Sequence, residues 1–188
     1  LSVGTATMNT NEGADNTVFG SGSMYTNTSG SYNTAIGRYS LTLNTTGDRN
    51  NGLGNNSLYN NTTGSYNVGI GNYALFNNTT AGSNVAVGDE AMFSNLSGSN
   101  NTAIGGAALR ANTTGGENSA FGYLALKSNT TGTRNTALGL STLFNNLEGT
   151  TNIAIGREAL YNNTTGSYNT ILGSTAGFNN TTGSRNVF

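Results

Sequence analysis

Acid–base chemistry near neutral pH draws on groups that titrate there, and nucleophilic chemistry on an activated thiol, hydroxyl or amine. This chain has no His and no Cys. Of its eight Asp and Glu, only Asp89 and Glu90 are adjacent. A working acid–base pair needs two carboxylates whose surroundings push their proton affinities apart. Asp89 and Glu90 occupy variable places, where the rest of the chain carries Ser, Thr, Arg, Asn, Gly, Ala, Tyr or Leu and only one other acid, Glu158. That tolerance describes a solvated turn. Calcium-binding rolls repeat an Asp after Gly-rich turns, and here the turns carry Asn and Thr instead. The sequence therefore predicts no enzyme, no metal and no cofactor.

Other residue types recur with a beat. Asn27, Asn44, Asn61, Asn78, Asn95, Asn112, Asn129, Asn163 and Asn180 each open an Asn-x-Ser/Thr tripeptide; Asn146 keeps the beat but is followed by Leu147-Glu148. Two expectations follow: a row of glycan acceptors on a secreted rod, or an internal Asn ladder combined with turn chemistry. The second is favoured, because such tripeptides arise readily in Asn- and Thr-rich sequence. Tyr32, Tyr66 and Tyr168 fall in predicted turns, where a ring could stack on a sugar. The Thr that follows most of these Asn residues could form a flat hydroxyl and methyl array suited to ice-like water, although Leu96 and Leu147 interrupt it.

These residues share one period. Gly20, Gly37, Gly54 and so on to Gly173 are spaced 17 apart without insertion, and Asn16, Asn33, Asn50 and so on to Asn186 keep the same step. The consensus coil is N-T-A-I-G-x-x-A-L-[FY]-N-N-T-T-G-S-x, numbered here from its first Asn. Fixed-period self-similarity is the mark of a repeat architecture. The chain is thus expected to be an all-β solenoid, or β-roll, of about ten 17-residue coils stacked in parallel. Residues 1–15 form a degenerate first coil, with Gly4 one place out of step, and 16–188 form the tandem array.

Within a coil, N-T-A-I suits a short strand. Gly at position 5 ends it where φ > 0 or a close backbone approach is needed. N-T-T-G forms a turn, with Gly in the left-handed position. Ala81 replaces that Gly in one coil and Gly82 follows, so a one-residue shift of the turn is expected there. The x-x-A-L-[FY]-N segment fits either a second short strand or one helical turn, and a strand is favoured. The aromatics at position 10 are expected to pack, on a face left partly exposed because Arg110 and Lys127 interrupt them.

Composition bears on what the chain is for. Charged residues are only 8% and the net charge is −1, which removes the electrostatic footprint of a nucleic-acid binder. No apolar run reaches membrane-spanning length. Positions 4 and 9 supply at most two large buried side chains per coil, each contributing about 1.5–3 kcal/mol. Ordering each residue's backbone costs about 1–2 kcal/mol, so one coil cannot stand alone. Small residues at positions 3 and 8 would let a second surface come close. Self-association is expected, as a three-fold bundle. The unfinished coil at Asn186-Val187-Phe188 suggests a longer fibre.

The N-T-A-I-G run of Asn33 to Gly37 and Asn101 to Gly105, followed by an Ala-rich element, resembles the head repeats of trimeric autotransporter adhesins. It is also similar to Asn/Thr/Gly-rich repeats of phage tail fibres and surface fibre proteins. The resemblance extends from Asn16 to Phe188, and the added N-T-T-G segment lengthens each coil relative to those heads. It implies an elongated homotrimer at a cell or virion surface, or outside the cell, serving as a rigid rod for attachment to a receptor or glycan. A self-assembling extracellular filament or matrix protein is the alternative, and an ice-binding solenoid a lesser one. No nucleic-acid partner and no membrane insertion of this segment are expected.

Overall fold

The structure is a computed structural model that describes residues 2–3 and 13–187. Its described residues hold one parallel sheet of eleven strands, running in chain order from β1 (Ser2–Val3) and β2 (Thr17–Phe19) to β11 (Thr170–Leu172). From β2 onward each strand pairs with the next in a register of one whole repeat, as in Thr102↔Ser119, Ala103↔Ala120 and Ile104↔Phe121. The expected all-β solenoid of stacked 17-residue coils is what the chain forms. At about 4.8 Å per layer, ten coils make a rod roughly 50 Å long. β1 is out of step: Ser2 pairs with Val18 and Val3 with Phe19, sixteen residues on rather than seventeen. The expected shift at Gly4 itself lies outside the described residues.

Main-chain pairing continues beyond the strands. In the coil from Asn101 to Glu117, the amides of Thr102, Leu109, Ala111 and Thr113 donate to carbonyls of the following coil at 2.8–3.0 Å. Those of Gly105, Ala107 and Glu117 donate to the preceding coil at 2.8–3.1 Å. Each layer is therefore held to both neighbours around its whole perimeter.

The segment expected to be a second strand is a run of turns. Positions 7 and 9 adopt left-handed φ, for example 53° at Ala107 and 51° at Leu109. The Ala108 amide bonds back to Gly105 at 3.2 Å, and the Asn112 amide to Leu109 at 3.1 Å. Left-handed residues so closely spaced bend the chain around a corner, which an extended strand cannot do. A third left-handed residue stands at position 17, as at Tyr66 (φ 63°) and Arg134 (φ 57°).

The two glycine positions act differently. Gly at position 5 combines φ near 130–138° with close approach: a Cβ on Gly105 would lie 2.5 Å from the Gly122 backbone. Gly at position 15 has no left-handed φ, contrary to expectation. A Cβ on Gly115 would instead press on the Asn112 and Asn129 side chains and the Gly132 carbonyl. Ala81 fills this place without any shift of the turn, and its carbonyl still accepts from Asn67 at 2.8 Å and Asn78 at 3.0 Å. The accommodation shows nearby: the Thr79 amide reaches the Leu96 carbonyl at 3.4 Å, against 2.9 Å for Thr62 to Thr79.

The core is a single column. Position 9 stacks Met24, Leu41, Leu58, Leu75, Met92, Leu109, Leu126, Leu143 and Leu160, all fully buried. Small residues at positions 3 and 8 enclose it, such as Ala103 and Ala108. From the layer of Leu41 to that of Leu160 one large and two small side chains per layer fill a narrow coil to interior density, while the end layers carry the larger Val18 and Ile171 at position 3. Two expectations are corrected here. Positions 3 and 8 face inward and offer no external surface. Position 4 points out of the sheet, because side chains alternate along a strand. Phe19, Ile36, Ile70, Ile104, Phe121, Leu138 and Leu172 are all exposed.

Candidate functional site

Longitudinal columns of like residues carry the chemistry of this rod, two of them internal Asn ladders and the others on its surface. The Asn residues of position 12 run as a ladder through the coil, buried from Asn27 to Asn163 and half-buried at Asn180. Each side-chain amide donates twice, to the carbonyl oxygen of the Asn below and to the main-chain carbonyl three residues on. For Asn61 the partners are Asn44 and Gly64, both at 2.9 Å. For Asn163 they are Asn146 at 2.8 Å and Gly166 at 2.9 Å. Asn44, Asn78, Asn95, Asn112, Asn129 and Asn180 follow the same scheme. Asn27 donates to Gly30 at 2.9 Å. Asn146, outside the tripeptide pattern, makes the same bonds as its neighbours. On the folded chain these side-chain amides commit their hydrogens within the coil, where they form an internal ladder.

A second Asn ladder at position 1 clamps the turn to the strand. The Asn118 main-chain amide and side-chain amide both reach the Asn101 side-chain oxygen, at 2.9 and 3.1 Å. The same side chain donates to Gly132 at 2.9 Å. Asn carries a donor and an acceptor on one short planar group, so a stack of identical Asn residues satisfies itself.

The surface columns differ in how open they are. At position 10, rings are half-buried and stack on one another: Tyr59 on Phe76 and Phe76 on Phe93 at 5.3 Å, Phe144 on Tyr161 at 4.9 Å, Tyr161 on Phe178 at 5.0 Å. Arg110 and Lys127 continue the column as cations over Phe93 and Phe144, at 5.3 and 5.0 Å. Arg110 also pairs with Glu90 at 2.6 Å. Glu90 is thereby engaged as a cross-coil ion pair, while Asp89 is exposed.

At position 17, Tyr32, Tyr66 and Tyr168 are exposed on the turns. Arg49 lies between the first two, 5.3 Å from the Tyr32 ring and 5.4 Å from the Tyr66 ring, and donates to the Tyr66 hydroxyl at 2.6 Å. Tyr168 stands six coils beyond Tyr66 and has Arg185 over its ring at 5.8 Å. The three therefore do not form one site. The Thr hydroxyls of position 13 donate to the next coil's carbonyl, as from Thr113 to Thr130 at 3.0 Å and from Thr164 to Thr181 at 3.1 Å. Their hydrogens are directed along the rod and not into solvent.

A further surface column is position 4, and sequence reasoning assigned it to the core. All ten of its residues are apolar, with no charge or amide interrupting them. Strand alternation was the available signal: Ala at position 3 and Ile at position 4 cannot both face inward.

No protein-family model matches the chain, and neither does any curated protein or solved structure. The fold defines it as a tandem-repeat β-solenoid. Among its described residues no three metal-ligating side chains gather, and no helix is long and apolar enough to cross a membrane.

Proposed function

We propose that the chain is a rigid rod segment of an extracellular structural or adhesive fibre, assembled from copies of itself. One observation carries this reading: the position-4 column from Phe19 to Leu172 faces out of the sheet as an unbroken apolar stripe. Nine steps of about 4.8 Å make the stripe roughly 43 Å long. Contiguous exposed apolar surface on that scale marks an interaction site. A second copy in the same layer register meets it with like residues at like spacing, and three copies around one axis enclose it completely. The sealed interior and perimeter pairing support a spacer that keeps its length. The exposed turns with Tyr32, Tyr66 and Tyr168 then present contacts for a receptor or glycan.

A long filament is the second form that such a stripe supports. The hydroxyls of Thr113 and its counterparts, directed along the rod, weigh against ice binding. Sedimentation equilibrium with negative-stain microscopy tests the proposal. A discrete trimer supports the fibre-head form and long assemblies the filament form. A monomer at high micromolar concentration overturns both.

A further inference from the structure

The ring column at position 10 has a missing rung. Thr42 stands where neighbouring coils carry Tyr25 and Tyr59. Its side chain is buried, and its hydroxyl donates to the Gly22 carbonyl at 2.9 Å. The outer part of that layer, which a ring occupies in other coils, is therefore open. Gly22 adds to the opening. The Tyr39 ring lies across it so closely that a Cβ on Gly22 would collide with the ring. Tyr39 leans edge-on against Tyr59 at 6.3 Å instead of filling the gap. The result is a surface slot of about 280 Å³ lined by Ser21, Gly22, Tyr25, Tyr39 and Thr42.

We propose that this slot binds one pyranose ring, which takes the place of the absent aromatic. The walls suit that chemistry. A pyranose has an apolar C–H face and a hydroxyl rim, and Tyr pairs an apolar ring with a polar tip. Tyr25 is 40% exposed, so its ring is accessible from solvent. The polar side chains among the lining residues are hydroxyl-bearing, Ser21, Tyr25, Tyr39 and Thr42, and beside them the Arg38 guanidinium lies 4.5 Å from the Tyr39 ring centroid and donates to its hydroxyl at 3.3 Å. The volume lies just below that of pockets for drug-sized molecules, which fits a single sugar ring with millimolar affinity. The site is separate from the position-17 tyrosines and does not depend on self-association.

The test is an amide spectrum of the isotope-labelled chain, titrated with the methyl pyranosides of glucose, galactose, mannose and N-acetylglucosamine. At least one is expected to shift the amides of Ser21, Gly22, Tyr25, Tyr39 and Thr42 saturably. Thr42→Phe restores the missing ring and is expected to abolish these shifts while the chain stays folded. Tyr25→Ala removes an exposed wall and is expected to weaken binding by roughly tenfold, the equivalent of about one aromatic contact. Absence of shifts with all four sugars overturns the proposal. So does unchanged binding in Thr42→Phe, or in Tyr25→Ala if the former does not fold. None of these outcomes changes the sedimentation result, so the rod proposal is judged separately.

Discussion

Asn112 stands directly over Asn95, and its side-chain amide gives one hydrogen to the Asn95 side-chain oxygen and the other to the Gly115 carbonyl, each at 2.8 Å. Its own side-chain oxygen accepts from Asn129 at 2.8 Å. An ionised carboxylate of the same shape only accepts. Asn112→Asp therefore sets two oxygens against two oxygens in a buried layer. The expected loss is about 3 kcal/mol or more, since two buried acceptors lose their donors and a charge is enclosed. Asn60→Asp, at half-buried position 11, is expected to cost under about 1 kcal/mol. The folded state of Asn112→Asp holds its added acid protonated to higher pH than the unfolded chain does. The deficit is then smallest in acid and grows as pH rises. Urea unfolding followed by circular dichroism at two pH values checks both points.

Gly105 tolerates no side chain, for two independent reasons. Its φ is 137°, and an added Cβ would sit 2.5 Å from the Gly122 backbone. Gly105→Ala must push adjacent layers apart and is expected to destabilise by about 3 kcal/mol or more, in the range of severe backbone and overpacking effects. Gly106, its neighbour, has no left-handed φ, and an added Cβ meets the edge of the Tyr123 ring at 3.2 Å and no backbone atom closer than the Asp89 carbonyl at 3.9 Å. Gly106→Ala is expected to change stability by less than about 1 kcal/mol. Equal effects in the two variants would refute this account of the position-5 glycines.

The period, the parallel stacking and the internal Asn ladders were legible because each leaves the same residue at the same place in every coil. The Gly20 series marks the layer spacing directly. The course of the chain between Gly105 and Asn112 was not legible. Leu and Ala give no signal for left-handed backbone, yet Ala107 and Leu109 adopt it because perimeter pairing and the turn bonds fix their peptide orientations. The outward stripe was missed for a related reason. Ile104 is as apolar as Leu109, and only strand alternation separates their faces.

Ala107 holds a left-handed φ of 53° that an L-residue adopts only at a cost of roughly 1–2 kcal/mol. Gly meets no such cost, although it loses more backbone entropy on folding. Ala107→Gly is accordingly expected to stabilise by up to about 1 kcal/mol, against the usual direction of Ala-to-Gly changes. Ala103→Gly, on a strand and facing the core, is expected to destabilise. Thermal melts of the two variants should move in opposite directions, and a fall in both would mean that the left-handed conformation at Ala107 is not strained.

Leu75 and Ile70 belong to the same coil and face opposite ways. Leu75 is fully buried in the position-9 column, and Ile70 is 38% exposed on the stripe. Leu75→Ala leaves a cavity between packed layers and is expected to cost about 2–5 kcal/mol at any protein concentration. Ile70→Lys breaks no internal packing of comparable depth, so the isolated chain should lose under about 1 kcal/mol. Its effect should lie in association. A charge in the middle of an enclosed apolar stripe has no partner, and like charges from neighbouring copies meet there. The expected result is a normal circular dichroism spectrum combined with a shift to monomer in sedimentation. Ile36→Lys and Ile104→Lys, on the same column, should behave alike. If the three variants keep the assembly state of the parent chain, the stripe is not the surface through which copies meet.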